Sequence, residues 1–206
     1  MTIVIGITGK AHSGKDTSAD YIVSMLDKYG YKVIKVCLAD QLKYICQKLV
    51  KYFYNIDLPI EDFYDYLKKE QEQPELPHFN GKPFKIRTLL QMIGTDICRN
   101  MLFRSIWCDY IKEKYITPNN YDIIVVSDIR MLNEIKYFET LTVTKFLSIR
   151  INRTNGDQID IVNQSHESET NIDELCVDYD VSNDDTLDEL HELLEMIIHN
   201  EIICDM

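Results

Sequence analysis

A glycine-rich turn near the start of the chain is the feature that most limits how this sequence can fold. Residues 3–8 form a short apolar run rich in β-branched side chains, which is typical of a buried strand. A turn follows at Gly9, and from Lys15 to Tyr29 apolar residues recur at helical spacing before a suitable helix stop at Gly30. A strand, a tight turn and an amphipathic helix in this order indicate the first βα unit of an α/β fold.

The same turn carries a phosphate-binding pattern. Residues 9–17 read Gly-Lys-Ala-His-Ser-Gly-Lys-Asp-Thr, which fits G-x-x-x-x-G-K-[ST] except that Asp16 replaces the hydroxyl residue. Glycines let backbone N–H groups point towards phosphate oxygens, and the helix adds the positive end of its dipole. The alternative is a turn that only connects strand and helix. We predict that these residues bind ATP, with His12 contributing its backbone: Gly9, His12, Ser13, Gly14, Lys15, Asp16 and Thr17.

Asp16 changes the metal chemistry expected of this loop. The usual hydroxyl ligates Mg²⁺; a carboxylate could bind it directly or through water, or leave that task to Thr17. A second carboxylate, Asp128, ends the apolar run that starts at Ile123, and Arg130 follows it. An Asp at the carboxyl end of a buried strand can reach the metal shell, and an Arg beside it can hold a phosphate. The alternative is that Asp128 only caps the next helix.

The rest of the chain alternates predicted strands and helices. We predict strands at 31–38, 123–128, 142–149 and 177–181, and helices over 40–54, 60–72, 86–116, 130–140 and 184–203. The long helix is expected to break near Gly94 or Arg104, and Thr186 starts a capping box on the last one. This alternation predicts an α/β fold with about five parallel strands and helices on both faces of the sheet.

Charge is divided unevenly along the chain. The formal net charge of the 206 residues is −12, yet all 22 Lys and Arg lie at or before Arg153. This distribution argues against nucleic acid or an anionic membrane as a partner, and it permits a small anionic ligand. No segment approaches the roughly 20 apolar residues of a membrane span, and the start of the chain has no basic segment typical of a signal peptide. The six cysteines form no C-x-x-C pair, so we expect reduced thiols and a cytoplasmic protein.

With these motifs in place, the chain resembles the bacteriophage-type deoxynucleoside monophosphate kinases and, more distantly, the animal phosphomevalonate kinases. The resemblance covers about residues 3–200, and the stretches that carry it are Ser13–Thr17, Ala39–Lys43, Arg87–Asp96 with Trp107, Ser127–Arg130 with Glu134 and, more weakly, Ser165–Glu169. Asp after the loop lysine is a variant of this family, and the third stretch favours a nucleotide kinase. The chain departs from the family pattern at Gln41, where Pro is common, and at Ala11, where a basic residue can occur.

The resemblance implies a single P-loop kinase domain over 1–206 of the nucleoside monophosphate kinase type. Its core would comprise 1–39, 121–149 and 176–206, with an acceptor-binding helical insert over about 40–116 and a lid over about 150–165. The implied reaction moves the γ-phosphoryl group of ATP to a deoxynucleoside monophosphate (dNMP), with Mg²⁺, for DNA precursor synthesis. The implied acceptor-site residues are Leu42, Lys43, Arg87, Gly94, Thr95, Trp107, Asp128, Arg130 and Glu134, and the implied catalytic residues are Lys15, Asp128, Arg130, Arg150 and Arg153.

Several of these residues have simpler alternatives. Arg150 and Arg153 could be solvated surface arginines, Trp107 a core tryptophan and Lys43 a surface lysine. For His166, Glu167 and Glu169 we expect at most a local capping role before the last strand. The alternatives for the activity are a kinase of phosphomevalonate or dephospho-coenzyme A, and a nucleotide-binding switch without an acceptor. Free nucleotides are the expected partners, and a homodimer is left open.

Overall fold

The computed structural model of the protein describes residues 2–78, 81, 83–142, 144–154, 172 and 175–204. Within these residues five strands form one parallel sheet in the order β2-β3-β1-β4-β5. The strands are β1 (Thr2–Thr8), β2 (Val33–Val36), β3 (Ile123–Ile129), β4 (Thr144–Asn152) and β5 (Tyr179–Ser182). The predicted α/β fold with a five-stranded parallel sheet is therefore confirmed.

The described helices follow the predicted order, with differences at their ends. They are α1 (Lys15–Lys28), α2 (Leu38–Tyr54), α3 (Tyr66–Glu70), α4 (Ile86–Gln91), α5 (Ile106–Ile111), α6 (Leu132–Glu139) and α7 (Leu187–Ile198). Three helices continue with π-helical hydrogen bonding: α4 through Met92–Leu102, α5 through Lys112–Ile116 and α7 through His199–Ile203. The break in the predicted helix 86–116 falls near Arg104, which is one of the two expected places.

The helix predicted over 60–72 is two separate pieces. A 3₁₀ turn at Ile60–Phe63 ends before α3, because the side chain of Asp65 accepts a hydrogen bond from the backbone N–H of Lys68 at 2.8 Å and starts a new helix. An aspartate in this position satisfies one of the unpaired N–H groups of the first helical turn. The prediction of one continuous helix over 60–72 is therefore wrong.

The core of the sheet explains why the centre of β1, from Ile3 to Ile7, carries no polar side chain. Ile5 on one face packs in a buried cluster with Leu26 of α1 and Leu194 of α7. On the other face, Phe146 of β4 stacks on Phe138 of α6, with ring centroids 5.7 Å apart. Because successive strand residues point to opposite faces, a strand covered on both sides must carry apolar residues on both. The predicted helices on both faces are confirmed.

Contacts divide the chain into two compact units. The sheet unit comprises Met1–Leu38 and Cys108–Met206, and the helical unit comprises Ala39–Trp107. The helical unit thus ends before residue 116, where the sequence predicted the end of the insert. Asp109, just beyond this boundary, accepts a hydrogen bond from the hydroxyl of Tyr137 on α6 at 2.6 Å. Among the described residues no helix combines the length and apolar character needed to cross a membrane.

Candidate active site

The phosphate loop lies between β1 and α1, at the edge of the sheet where the strands end. The φ angles of Gly9, His12 and Gly14 are all positive, at 147°, 59° and 97°. A Cβ atom on Gly9 would lie 2.6 Å from Ser13 Oγ and would also collide with the backbone carbonyl oxygen of Ile151. Only glycine fits this position, so the loop has the tight backbone path that its sequence predicted.

Lys15 and Ser13 give this loop the polar groups that a phosphate needs. The side chain of Lys15 is 9% exposed, and its Nζ donates a hydrogen bond to the carbonyl oxygen of Lys10 across the loop. Ser13 Oγ is buried and has no hydrogen-bond partner among the described residues. A buried polar atom without a partner is costly, and a phosphate oxygen would satisfy it. The loop therefore fits a nucleotide phosphate.

Asn183, the residue after β5, supports the phosphate loop from outside. Its Nδ2 donates a hydrogen bond to the carbonyl oxygen of Ser13 at 2.8 Å, and its backbone N–H donates to the carbonyl oxygen of Asn152 at 2.7 Å. A Cβ atom on Gly14 would collide with the same Nδ2. Sequence reasoning missed Asn183, although a polar residue directly after a strand of a parallel sheet was an available signal.

The carboxylate of Asp16 is anchored from two strands. Ser127 Oγ of β3 lies 3.4 Å from Asp16 Oδ1, and Lys35 Nζ of β2 lies 3.7 Å from the same oxygen and 2.6 Å from Asp20 Oδ1. Burial lowers the pKa of Lys35, but the hydrogen bond and charge of Asp20 and the charge of Asp16 outweigh it, and the net pKa is raised. Lys35 therefore holds a positive charge beside Asp16, a role that its place in an alternating strand did not indicate.

Asp128 caps a different helix from the one expected in the alternative interpretation. Its Oδ1 accepts a hydrogen bond from the backbone N–H of Leu38, the first residue of α2, at 2.6 Å. Glu134, 1% exposed, instead caps the following helix α6 by accepting from the N–H groups of Arg130 at 2.8 Å and Met131 at 3.0 Å. The bond to Leu38 fixes the Asp128 carboxylate near the end of β3, while Glu134 binds the N–H groups at the start of α6.

The carboxylates of the sheet unit fit a magnesium ion that is bound mainly by nucleotide. In the described part of the chain, no group of three or more His, Cys, Asp or Glu residues is arranged to hold a metal. Mg²⁺ in nucleotide sites typically keeps several waters and takes one or two protein carboxylates beside the phosphates. Asp16, with a side chain 76% exposed, and Asp128 suit that arrangement. Thr17 is exposed on the first turn of α1 and stays the alternative ligand.

The structure corrects the position of Arg150. The sequence placed it after a strand that ended at 149, at the start of the predicted lid 150–165, but β4 includes it and the side chain is only 11% exposed. Its guanidinium donates hydrogen bonds to the carbonyl oxygens of Ile172, at 3.3 Å, and Leu175, and pairs with Asp180 of β5 at 3.0 Å. The strand runs further because Arg150 and Asp180 are paired residues of β4 and β5.

Arg153 is exposed directly after β4. Residues 155–171 contain most of the predicted lid and also His166, Glu167 and Glu169, and they lie outside the described residues. The expectations for this segment therefore stay predictions.

Three predicted acceptor-site residues of the helical unit pack against one another. A Cβ atom on Gly94 would lie 2.5 Å from Leu42 Cδ2, and Trp107 Nε1 donates a hydrogen bond to the carbonyl oxygen of Gly94 at 3.1 Å. Leu42 and Trp107 are both buried, with Trp107 5% exposed, while Thr95 is partly exposed. This arrangement favours the alternative of a core tryptophan over a ring that is open for a base to stack on.

The two cationic candidates of the helical unit each pair with a carboxylate. Arg87 Nε forms an ion pair with Glu70 Oε1, and Lys43 Nζ lies 3.5 Å from Asp40 Oδ1. Lys43 Nζ is also 3.7 Å from the ring centre of Tyr64, and its side chain is only 15% exposed. Lys43 is therefore more enclosed than the surface lysine of the alternative. Sequence reasoning missed Glu70 and Asp40, because an acidic helix residue is normally a solvated one.

The fold and the loop together define the class of the protein. A parallel sheet whose first strand leads through a phosphate loop into α1, with Asp128 near the end of the neighbouring strand β3, is the arrangement of the P-loop nucleotide-binding proteins.

Comparison with known proteins identifies the family within that class. Residues 61–194 match the family model described as deoxynucleotide monophosphate kinase. This match covers more than half of the chain, and the protein belongs to the deoxynucleotide monophosphate kinase family. The family and the enzyme class predicted from the resemblance, a P-loop phosphotransferase, are therefore confirmed.

Relatives are found in several viruses. The deoxynucleotide monophosphate kinase of Escherichia phage RB69 is 24% identical over 95% of this chain and 99% of its own length. The deoxynucleoside-5'-monophosphate kinase of Escherichia phage T5 is also 24% identical, over 89% of this chain and 90% of its own length. A protein of Acanthamoeba polyphaga mimivirus is 29% identical over 68% of this chain and 69% of its own length.

Proposed function

We propose that the protein transfers the γ-phosphoryl group of ATP to a dNMP and releases ADP and the deoxynucleoside diphosphate (dNDP). The observation that carries this proposal is the phosphate loop of the sheet unit, in which Lys15 bonds back across the loop and Ser13 Oγ has no partner among the described residues. Membership of the kinase family supports the same reaction and supplies the class of acceptor.

The reaction needs no nucleophile from the protein. An oxygen of the acceptor's own phosphate attacks the γ-phosphorus of ATP, and the bond from that phosphorus to the β–γ bridging oxygen breaks, leaving ADP. The protein therefore contributes positioning and charge neutralisation. We assign Lys15 and the N–H groups of the loop to the β- and γ-phosphates of ATP.

We assign the remaining roles to the residues that the motifs and the resemblance single out. Mg²⁺ would neutralise phosphate charge, with Asp16 or Thr17 and Asp128 in its shell. Arg87 and Arg130 are the proposed partners of the acceptor phosphate. Glu134 acts through Arg130, because it binds the backbone N–H of that residue. Arg153 is the proposed arginine for the moving phosphoryl group, whereas the buried contacts of Arg150 indicate a structural role.

The cellular role proposed for this reaction is the supply of DNA precursors from free nucleotides in the cytoplasm. The acidic charge of residues 154–206, which contain no Lys or Arg, supports small nucleotides over nucleic acids as ligands, because it repels polyanions.

The direct test is to incubate the protein with MgATP and each dNMP in turn and to measure the dNDP formed. We expect turnover with at least one dNMP, its loss in Lys15→Ala, and its retention in Lys28→Ala, which removes an exposed lysine from the other end of α1. Absence of dNDP with every dNMP would refute the proposal. Turnover of phosphomevalonate or dephospho-coenzyme A instead would identify another acceptor, and ATP hydrolysis that no acceptor stimulates would identify a switch.

A further inference from the structure

Glu70 is a partly buried carboxylate of the helical unit that the proposed reaction does not use. It is the last residue of α3, and its side chain is 30% exposed. Its Oε1 forms the ion pair with Arg87 Nε, and its Oε2 lies 3.7 Å from Lys85 Nζ. One carboxylate therefore contacts two cations, and this cluster keeps a net charge of about +1.

The contacts of Arg87 leave one edge of its guanidinium group open. Glu70 occupies Nε, and the ring of Tyr66 covers the group, with 5.3 Å from the guanidinium carbon to the ring centre. The two terminal nitrogens of Arg87 have no partner among the described residues. Those two nitrogens form a fork that can bind two oxygens of one phosphate.

The position of Glu70 indicates that it leaves Arg87 able to bind a phosphate and does not compete with the phosphate. A carboxylate bound to both terminal nitrogens would compete with a phosphate for that edge of Arg87. Glu70 instead takes the nitrogen that a bidentate phosphate on the fork leaves unused. Lys85 also offsets the negative charge of Glu70, so the carboxylate adds little repulsion towards an approaching anion.

We propose that Glu70 is a positioning residue, which orders Arg87 before the acceptor binds so that its terminal nitrogens receive the dNMP phosphate. The inference rests on the proposed function, in which Arg87 is a partner of that phosphate. A long arginine side chain loses conformational entropy when it becomes fixed. If the side chain is already ordered before the ligand binds, this entropy loss no longer weakens binding. Glu70 is therefore expected to change acceptor binding without changing ATP binding.

The test measures the dissociation constant (Kd) of the dNMP by calorimetry in the absence of ATP, with melting temperature as the check on folding. Glu70→Ala is expected to raise the Kd about three- to twelvefold, which is within the cost of ordering one rotamer-rich side chain on binding. Glu70→Gln keeps an oxygen that can accept from Arg87 Nε, so its Kd is expected to return to within about twofold of wild type. An unchanged or lower Kd in Glu70→Ala would overturn the inference.

Two controls separate this role from general effects. Glu75→Ala removes an exposed carboxylate of the same unit and is expected to leave the Kd unchanged. Arg87→Met removes the guanidinium group and its charge, so adding Glu70→Ala to it is expected to raise the Kd no further. If Glu70→Ala raises the Kd of the dNMP in the Arg87 variant by the same factor as in wild type, Glu70 acts independently of Arg87 and the inference is overturned.

Failure of the inference is distinguishable from failure of the proposed function. If wild type forms dNDP while Glu70→Ala binds the dNMP normally, the inference alone is wrong. If wild type binds a dNMP and forms no dNDP, while Glu70→Ala weakens that binding, the function is wrong and the role of Glu70 stands. If wild type binds no dNMP at all, both are wrong.

Discussion

The side-chain amide of Asn183 provides a sharp test of how the phosphate loop is held. Asn183→Ala removes the 2.8 Å hydrogen bond from Nδ2 to the carbonyl oxygen of Ser13. A partly buried hydrogen bond of this kind contributes about 0.5–1.5 kcal/mol net, which corresponds to roughly a two- to twelvefold change in an equilibrium constant. Because the bond lies on the loop that would bind the phosphates of ATP, we expect the Kd of ATP to rise within that range. The Kd of the dNMP should stay within about twofold of wild type.

The assay is calorimetric titration of ATP with Mg²⁺ present, and Asn152→Ala is the matched control. Asn152 lies at the same edge of the sheet and its Nδ2 bonds to Asp180 at 2.9 Å, so its truncation removes a comparable side chain without a contact to the loop. Asn183→Asp should weaken ATP binding more than Asn183→Ala, since a carboxylate would face both the Ser13 carbonyl and the phosphates. Wild-type affinity for ATP in Asn183→Ala would refute the idea that this contact orders the loop.

Three further predictions concern other contacts of the sheet unit. Gly9→Ala should weaken ATP binding and lower the melting temperature, because its φ of 147° and the Ile151 carbonyl leave no room for Cβ; unchanged values would contradict this. Arg150→Met should lower the free energy of unfolding in urea by about 1–3 kcal/mol while most ATP affinity remains, and loss of affinity with intact stability would favour a catalytic role instead. Lys35 has a raised pKa, so its stabilisation is complete below about pH 10.5 and is lost as the pH rises through the higher folded-state pKa. In Lys35→Met, the free energy of unfolding should therefore fall less steeply with pH above about 10.5 than in wild type. The same pH dependence in both proteins would contradict this.

The parts of the fold that were predictable from sequence are those set by local pattern. The strand before Gly9, the turn and the helix from Lys15 lie next to one another in the chain, so spacing and residue type determined them. The capping box from Thr186 to Glu189 was predictable for the same reason, and both of its hydrogen bonds are present. The end of β4 was not, because its length depends on pairing with β5, which begins at Tyr179.

The sequence was sufficient to find many of the candidate-site residues. It was not sufficient to predict the contacts that these residues make in the folded protein. Asp128 was found from its place at the end of a strand, but its partner Leu38 lies 90 residues away in the chain. Trp107 was given a ligand role by resemblance, whereas its hydrogen bond to Gly94 depends on the packing of two helical segments. Glu70 carried no local signal, since only the folded unit shows that it meets Arg87.

The proposed activity couples ATP cleavage to the phosphorylation of a dNMP, so the ratio of ADP to dNDP is the decisive quantity. We would mix the protein with MgATP and a dNMP and separate ADP, dNMP and dNDP by ion-exchange chromatography over time. We expect ADP and dNDP to form in a 1:1 ratio, neither to form at that rate without the dNMP, and Lys15→Ala to abolish both. ADP formed without an equal amount of dNDP, or no reaction with any dNMP, would contradict it.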